Sequence, residues 1–350
     1  MDTSVMITLG FLVFAIVMFA WEKIPLSITA MVVAVGLHLS GVLSAKEAFA
    51  GFVDPNVLLF MGMFVIGEAF FATGVAVGVG NVVHKFAKTE TSLLVAVMMI
   101  TGILSGFLSN TGTAAVLIPV IIGICKKSGF KQTKLLMPLV FAAAMGGNIS
   151  LIGAPGNMIA QAGLQQAGLG SFGFFDYGLV GLPILIVGTI FYATIGKRFL
   201  PDAPSHQPDG AFEGNDDYSH VPSWKKWTAA IVLILTVVAM IFEKQLGVKL
   251  YVSAWIGALV LVATNVISET AAVKSIDMKT IMLFAGSMAL GDAMVKTGTG
   301  SVIADIIVNS LGASPSPIVV LVVIFVLGVF MTNFMSNTAT CALLVPIGLS

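Results

Sequence analysis

Charged residues are scarce in this sequence, and cysteine is scarcer still. Lys, Arg, Asp and Glu make up 10% of the 350 residues, whereas ordinary soluble domains carry about 25%, so the composition excludes a soluble globular domain. The 17 basic and 17 acidic side chains cancel, which removes any charge-based argument for binding nucleic acid. Cys125 and Cys341 are the two cysteines, and both lie in apolar segments. The sequence therefore indicates neither a disulfide scaffold nor a metal site built on paired cysteines.

The signatures of several enzyme classes are also absent. The sequence contains no G-x-S-x-G, no H-E-x-x-H and no Walker sequence, so a serine hydrolase, a zinc protease and an ATP-driven mechanism are all unsupported. We therefore predict that the chain is not an enzyme. The first apolar stretch, Val5–Trp21, lacks a basic leader and a small-residue cleavage site. We interpret it as a first membrane span rather than a signal peptide.

Long apolar runs are what the sequence has instead. Hydrophobic residues make up 57% of the chain, and the mean hydropathy is +1.03. Runs near the length of about 20 residues that crosses a bilayer recur, which predicts an all-α polytopic membrane protein. Polar residues and prolines fill 197–226, a pattern typical of a linker. The predicted spans are 5–21, 25–43, 56–80, 178–196, 227–243, 250–268 and 279–297; broken segments cover 92–125, 135–167 and the end of the chain.

One polar tripeptide occurs twice inside this apolar sequence. Ser109-Asn110-Thr111 and Ser336-Asn337-Thr338 are identical, and eight of the fifteen positions in Ser105–Pro119 match Thr332–Pro346. Hydroxyl and amide groups without partners are costly at membrane depth, because no water is available there. Two copies at corresponding places in the two halves of a membrane protein predict a binding site between the halves.

A second match precedes the first. Leu59–Gly74 aligns with Leu283–Gly298 at an offset of 224 residues, close to the offset of 227 at the tripeptides. Two matches at nearly one offset indicate an internal repeat. The alignment sets Glu68 opposite Asp292, both within apolar spans. Such carboxylates are candidates for coupling transport to protons or cations; a structural pair or a group near the interface is the alternative.

The distribution of basic residues predicts that the two repeats are inverted. If each tripeptide lies at the tip of a re-entrant hairpin, Lys46, Lys244, Lys249 and Lys296 fall on one face and the other thirteen basic residues on the opposite face, which is then cytoplasmic. The N-terminus is then outside. The predicted domains are a first inverted repeat at 1–196, a cytoplasmic linker at 197–226, and a second repeat at 227–350 that is truncated after its tripeptide.

The tripeptides suit ion binding because each precedes a helical apolar run. Ser, Asn and Thr are good N-cap residues, and a helix N-terminus offers free N–H groups and partial positive charge to an anion. Carbonyl and hydroxyl oxygens of the adjacent turn can bind a hard cation such as sodium. The alternative is that these side chains only hydrogen-bond to helices or backbone. Gly146–Asn157 contains Gly and Pro in close succession, which predicts a helix break that Asn157 caps on restarting.

These motifs resemble the divalent anion:sodium symporter family, the carboxylate and sulfate carriers grouped as SLC13-type permeases. The residues that carry the resemblance are the two Ser-Asn-Thr tripeptides and Gly153-Ala154-Pro155-Gly156-Asn157, which has Ala and Gly where the family pattern has Thr and Pro. The resemblance covers nearly the whole chain. It implies an inverted-repeat fold with a scaffold and a moving transport domain, a homodimer, elevator-like alternating access and sodium coupling.

The resemblance also implies roles for individual residues. One sodium site would use Ser105, Ser109, Asn110 and Gly153. The other would use Thr332, the Met335 carbonyl, Asn337 and a carbonyl from a later break. Thr111 and Thr338, with the two Asn side chains, would face the substrate. The residues that would contact substrate are Asn110, Thr111, Asn337, Thr338, Ala154, Pro155 and Asn157.

We therefore expect a secondary transporter in the plasma membrane that takes up a small di- or tricarboxylate, or sulfate, with co-transported sodium. A sodium/proton antiporter or arsenite-type permease of the same broad superfamily is the first alternative, and it would depend on titration of Glu68 and Asp292. A channel and an intramembrane enzyme are weaker alternatives. We also expect a complete protein to extend beyond Ser350, because the second repeat lacks its later segments.

Overall fold

A computed structural model of the chain describes residues 2–21, 23–76, 78, 89–128, 130–201, 218–303 and 316–349. Helices are the regular elements throughout these ranges, and they contain no strand, as predicted from the apolar runs. Short 3-10 turns cover Ala50–Val53, Gly196–Arg198 and Tyr218–His220. The α-helices are α1 (Thr3–Trp21), α2 (Leu26–Leu39), α3 (Ala45–Ala48), α4 (Pro55–Ala72), α5 (Glu90–Ser105), α6 (Asn110–Ser128), α7 (Thr133–Gly146), α8 (Pro155–Gln166), α9 (Gly178–Thr194), α10 (Ser223–Ile241), α11 (Glu243–Leu246), α12 (Leu250–Ala263), α13 (Glu269–Ser275), α14 (Met278–Thr297), α15 (Pro317–Met331) and α16 (Asn337–Gly348).

Helix length separates two classes of predicted span. In the described part of the chain, α1, α4, α10 and α14 are long and apolar enough to cross a membrane. By contrast, α2 and α12 have 14 residues each, which is about 21 Å of helix against a hydrocarbon core of about 30 Å. The predicted spans at 25–43 and 250–268 are therefore shorter as helices than the sequence pattern suggested.

The predicted helix breaks are confirmed, and several boundaries move. The broken segment 92–125 contains α5 and α6, and 135–167 contains α7 and α8. The predicted span 56–80 ends as α4 at Ala72. Helix α10 begins at Ser223, four residues before the predicted start at 227. Residues 79–88, with Lys85 and Lys88, and residues 202–217 of the predicted linker lie outside the described ranges.

The internal repeat is visible in the backbone. The first residues of α2 and α12 are 224 positions apart, and so are their last residues. Helices α1 and α10 each have 19 residues. Gly74 and Gly298, which the sequence alignment pairs, both have positive φ angles of 74° and 71°. The left-handed conformation stops a helix and favours glycine. The alignment therefore pairs positions that have the same local structure.

Two further pairs at the same offset lie outside the sequence match. Gly41 and Asn265 are both left-handed, with φ angles of 77° and 57°. Ser44 and Ser268 are both N-caps whose side chains accept a hydrogen bond from the third residue of the following helix. These shared turns and caps extend the repeat through the short helices α3 and α13. The inverted orientation of the two copies stays a prediction.

The chain divides into two compact units, and each draws segments from both predicted repeats. The first unit consists of Met1–Leu58, Met158–Ser171 and Asp277–Ser350, and the second of Leu59–Asn157 and Phe172–Ile276. In the first unit, α14 packs against α2, where a Cβ added to Gly286 would lie 2.4 Å from the Ala30 carbonyl oxygen. The core of this unit is apolar and includes Leu37, Leu283 and Leu343.

The second unit has its own core, built on α5, α6, α7 and α9. Leu93, Leu135, Leu139 and Leu185 are among its fully buried side chains. Small residues bring these helices close together, because a Cβ on Gly146 would lie 2.1 Å from the Gly102 carbonyl oxygen. This close approach of α7 to α5 places the helix break after Gly146 beside the end of α5.

Candidate functional site

The first tripeptide forms the start of a helix inside the second unit. Helix α5 ends at Ser105 and α6 begins at Asn110. The Gly112 N–H donates to Ser109 Oγ at 3.0 Å, which satisfies one of the N–H groups that a helix start leaves unpaired. Ser109 therefore acts as the N-cap of α6. The residues that separate α5 from α6 form the turn of the predicted hairpin.

The second tripeptide repeats this structure in the first unit. Ser336 has the extended backbone of an N-cap, with φ −63° and ψ 151°, and its Oγ accepts from the Ala339 N–H at 3.1 Å. Helix α16 then begins at Asn337, and α15 ends at Met331. The prediction that each tripeptide caps a helix is confirmed at both copies.

A hydroxyl and an amide pair across each turn. Ser105 Oγ donates to Asn110 Oδ1 at 2.6 Å, and Thr332 Oγ1 donates to Asn337 Oδ1. The two pairs occupy aligned positions of the repeat, and in both the residues are five apart. Each of the two predicted sodium sites therefore has its hydroxyl and its amide in direct contact.

Further oxygen atoms surround the first pair. Ser105 Oγ also lies 2.7 Å from the Ala143 carbonyl oxygen, although its single hydrogen can serve only one of the two acceptors. If the Asn110 amide is rotated by 180°, its Nδ2 reaches the Gly153 carbonyl at 3.1 Å. In that orientation Nδ2 also donates to Ser105 Oγ at 2.6 Å and to the Ala143 carbonyl at 3.3 Å, so oxygens of Ser105, Ala143 and Gly153 surround the Asn110 amide. Hard cations such as sodium are bound by groups of oxygen ligands of this kind.

The helix break between α7 and α8 is held by side chains of its own. Asn157 Nδ2 donates to the carbonyls of Gly147 and Ser150, both at 2.9 Å, and Ser150 Oγ donates to the Gly106 carbonyl. Tyr177 Oη donates to the Asn157 carbonyl at 2.8 Å. These bonds pair backbone groups that the break removes from the helix, and they tie the break to the turn after α5.

The prediction that Asn157 caps the restarted helix is wrong. Helix α8 begins at Pro155, whose missing N–H and fixed φ suit the first helical position. Asn157 is the third residue of the helix, and its amide turns back onto the break. Its Nδ2 is already bonded to two backbone carbonyls. Contact between Asn157 and a substrate stays a prediction.

The remaining predicted site residues lie close to these features in sequence. Thr111 is exposed on the first turn of α6, and Thr338 is half-buried on the first turn of α16. Met335 is buried directly before the second N-cap. Ala154 and Pro155 are half-buried where α8 starts. Ser105, Asn110 and Gly153 are thus brought together in the second unit, and Thr332 and Asn337 in the first.

The two aligned carboxylates differ in their surroundings. Glu68 is half-buried on α4 in the second unit. Asp292 is half-buried on α14 in the first unit, and its Oδ1 accepts from Gln166 Nε2 at 3.0 Å. The neighbouring Gln165 accepts from Asn56 at 3.1 Å. The end of α8 therefore holds Asp292 through a contact between residues 126 positions apart, which no local sequence pattern indicates.

An ion pair in the first unit was also missed by sequence analysis. Lys296 Nζ lies 2.8 Å from a carboxylate oxygen of Glu47. Hydrogen bonds from Lys296 and from the Ser44 N–H hold the pKa of Glu47 at about 2, below its usual value of 4.5. Both side chains are partly exposed, and surface pairs of this kind contribute little to stability. The pair links the start of α3 to the end of α14.

Comparison with known proteins gives one family. Residues 16–350 match the family described as citrate transporter. The chain is 33% identical over 211 residues to the uncharacterized transporter YfbS of Escherichia coli K12, an alignment that covers 60% of this chain and 35% of that protein. It therefore spans about a third of the length of that relative.

Two further comparisons concern a named carrier and a solved structure. The sodium-dependent dicarboxylate transporter SdcS of Staphylococcus saprophyticus is 25% identical over 365 residues, which cover 93% of this chain and 69% of that protein. The crystal structure of the YdaH transporter of Alcanivorax borkumensis, described as having an unusual topology, superposes with a TM-score of 0.58 at 15% identity. That alignment covers 99% of this chain and 82% of that one, and it supports the fold.

Proposed function

Because this chain belongs to the citrate transporter family, we propose that it is a secondary active transporter that moves a small di- or tricarboxylate, or sulfate, inward together with sodium. It is an integral, multi-pass membrane protein, as its apolar helices and its family indicate. The similarity to a sodium-dependent dicarboxylate transporter supports both the ion and the substrate class. The cell membrane is the proposed location, with the N-terminus outside.

The observation that carries the proposal is the group of oxygens around Asn110. Oxygens of Ser105, Ala143 and Gly153 lie within 3.3 Å of one end of the Asn110 amide, and Ser105 Oγ lies 2.7 Å from the Ala143 carbonyl. We propose that the Asn110 amide turns Oδ1 toward these oxygens when sodium is bound, because a cation among them removes the repulsion between the oxygen atoms. Sodium, a hard cation that prefers oxygen ligands, suits this group.

The second pair supports a second sodium site. Thr332 and Asn337 repeat the hydroxyl–amide contact at aligned positions, and the Met335 carbonyl precedes the N-cap of α16. We propose that each tripeptide binds one sodium ion. Ser109 and Ser336 contribute by capping the helices, which fixes the direction of the first turn on which each Asn lies.

Substrate binding follows from the same two helix starts. The first turns of α6 and α16 present N–H groups and partial positive charge, and they carry Thr111 and Thr338. We propose that these residues, with Asn110, Asn337, Ala154, Pro155 and Asn157, recognise the carboxylate oxygens of the substrate. Sodium ions bound beside the same turns supply the balancing charge, so substrate and sodium bind together.

The transport cycle that we propose uses the repeat. Two copies of one structure, inserted in opposite directions, can exchange their conformations and so open the site first to one side of the membrane and then to the other. The shared caps and turns support the presence of two copies, and their opposite directions are part of the proposal. Elevator-like movement and a homodimer complete the proposal, with repeats at 1–196 and 227–350 joined by the linker 197–226.

The test is uptake of radiolabelled succinate, citrate and sulfate by proteoliposomes that contain the whole protein. We expect accumulation above the outside concentration under an inward sodium gradient, and none when potassium replaces sodium. Accumulation against a concentration gradient also excludes a channel. Sodium-independent uptake, or no uptake of any carboxylate or sulfate, contradicts the proposal.

A sodium/proton antiporter is the second candidate, favoured by Glu68 and Asp292 within long apolar helices. Carboxylates at membrane depth are typical of proton relays. The same vesicles, loaded with a pH-sensitive dye, separate the two functions. If a sodium gradient drives proton efflux when no carboxylate substrate is added, the protein is an antiporter.

A further inference from the structure

A cavity of about 390 Å³ lies in the second unit, apart from the residues assigned to transport. Three basic side chains, Lys134, Lys197 and Arg198, line it together with one acidic side chain, Glu90. Leu94 and Leu200, which also line it, are 2% and 9% exposed. The cavity therefore combines buried apolar walls with an excess of positive charge, and its volume is that of a small-ligand pocket.

Three separate parts of the fold supply these side chains. Glu90 lies in the first turn of α5 and Lys134 in the first turn of α7, while Lys197 and Arg198 form the 3-10 turn after α9. The starts of two helices thus face one cavity, and their N–H groups add partial positive charge to that of the side chains. The packing of α5, α7 and α9 in the core of this unit fixes the arrangement.

Two features of the lining side chains bear on ligand binding. Lys197 Nζ donates to Thr91 Oγ1 at 3.1 Å, which holds its ammonium group in the cavity wall. Glu90 Oε1 is buried and has no hydrogen-bond partner. A buried carboxylate oxygen without a partner is costly, so a ligand that donates a hydrogen bond there is favoured.

We propose that this cavity binds a phosphate group that also carries a hydroxyl donor. Lys134, Lys197 and Arg198 recognise the anionic oxygens, and Glu90 accepts the hydroxyl hydrogen. Two sources share this chemistry: the phosphoglycerol headgroup of an anionic lipid and free hydrogen phosphate. Basic pockets between membrane helices commonly take such headgroups. The site shares no residue with the proposed sodium and substrate sites.

The test compares purified whole protein in two settings, both in sodium-free choline buffer so that sodium-dependent binding does not contribute. In nanodiscs, the thermal unfolding midpoint is measured with phosphatidylglycerol and with phosphatidylcholine. In neutral detergent, affinity for inorganic phosphate is measured at constant ionic strength. Stabilisation by phosphatidylglycerol and not by phosphatidylcholine identifies the lipid headgroup as the ligand. Binding of inorganic phosphate in detergent identifies the free anion. A protein that responds to neither overturns the proposal.

Charge variants connect the binding to the cavity. Lys197→Gln/Arg198→Gln removes two cations from the lining, and we expect binding at least about tenfold weaker, since each basic residue near an anion contributes to its affinity. Lys244→Gln/Lys249→Gln removes the same charge from exposed positions elsewhere and should leave binding unchanged. If both double variants lose the same amount of binding, the cavity is not the binding site.

Glu90→Gln tests the hydroxyl donor. Wild-type protein should bind hydrogen phosphate more tightly than sulfate, which has no hydrogen to donate at neutral pH. The variant should bind both anions, because it loses a negative charge, and its preference for phosphate should fall to near equality. A preference that persists in the variant contradicts the role of Glu90.

Discussion

Replacing Asn110 by alanine should reduce sodium-dependent uptake at least tenfold while the protein still inserts. The variant removes the amide that contacts Ser105 Oγ and reaches toward the Gly153 carbonyl. Hydrogen bonds and contacts to charged groups contribute about 1.5–3 kcal/mol, which corresponds to a loss of about tenfold to 150-fold in affinity. Initial rates of uptake at several sodium concentrations measure the change.

Asn333→Ala is the matched control. Asn333 follows the end of α15, and its amide donates to the Val329 carbonyl in the last turn of that helix; it lies outside both proposed ligand sets. The control should keep wild-type sodium dependence. If Asn110→Ala also transports with wild-type sodium dependence, Asn110 is not part of the site.

Gly153→Ala should remove transport and lower stability. A Cβ at this position would lie 2.5 Å from the Gly147 carbonyl oxygen and 3.0 Å from that of Gly106. Both are backbone atoms, so the break itself has to move, at a cost of about 1–3 kcal/mol for overpacking. The movement also displaces the Gly153 carbonyl from the group of oxygens around Asn110. Thermal unfolding in detergent and sodium-dependent uptake measure the two effects.

Gly123→Ala provides the comparison within the same unit. A Cβ at Gly123, in α6, meets no atom within 4 Å, and alanine in a helix is more stable than glycine by up to about 1 kcal/mol. This variant should unfold at the same or a higher temperature and transport normally. Equal behaviour of the two alanine variants contradicts the close packing of the break.

Much of this fold could be predicted from the sequence, because the repeat includes the glycines that end helices and the serines that cap them. The aligned Gly74 and Gly298 are both left-handed helix ends, and the aligned Ser109 and Ser336 are both N-caps. The family inferred from these motifs is confirmed by the match over residues 16–350. Helix lengths were predicted less well, since hydropathy does not show where α2 and α12 end.

The candidate site shows the limit of the same reasoning. Its side-chain members, Ser105 and Asn110, are five residues apart; the repeated motif pointed to Asn110, and the family resemblance implied Ser105. The contact between the Ala143 carbonyl and Ser105 could not be predicted, because a backbone oxygen has no sequence signal. The packing of α7 against α5 places that oxygen beside Ser105. Asn157 was misassigned for a related reason: its bonds to Gly147 and Ser150 depend on the path of the break.

The central claim is that the two hydroxyl–amide pairs bind sodium, and direct measurement of sodium binding tests it. Radiolabelled sodium is titrated onto the purified whole protein without substrate, for the wild type and for Ser105→Ala/Thr332→Ala, which removes both hydroxyls and neither N-cap. We predict saturable binding by the wild type and binding at least about tenfold weaker by the variant. Equal binding by the two proteins, or none by the wild type, would contradict the account.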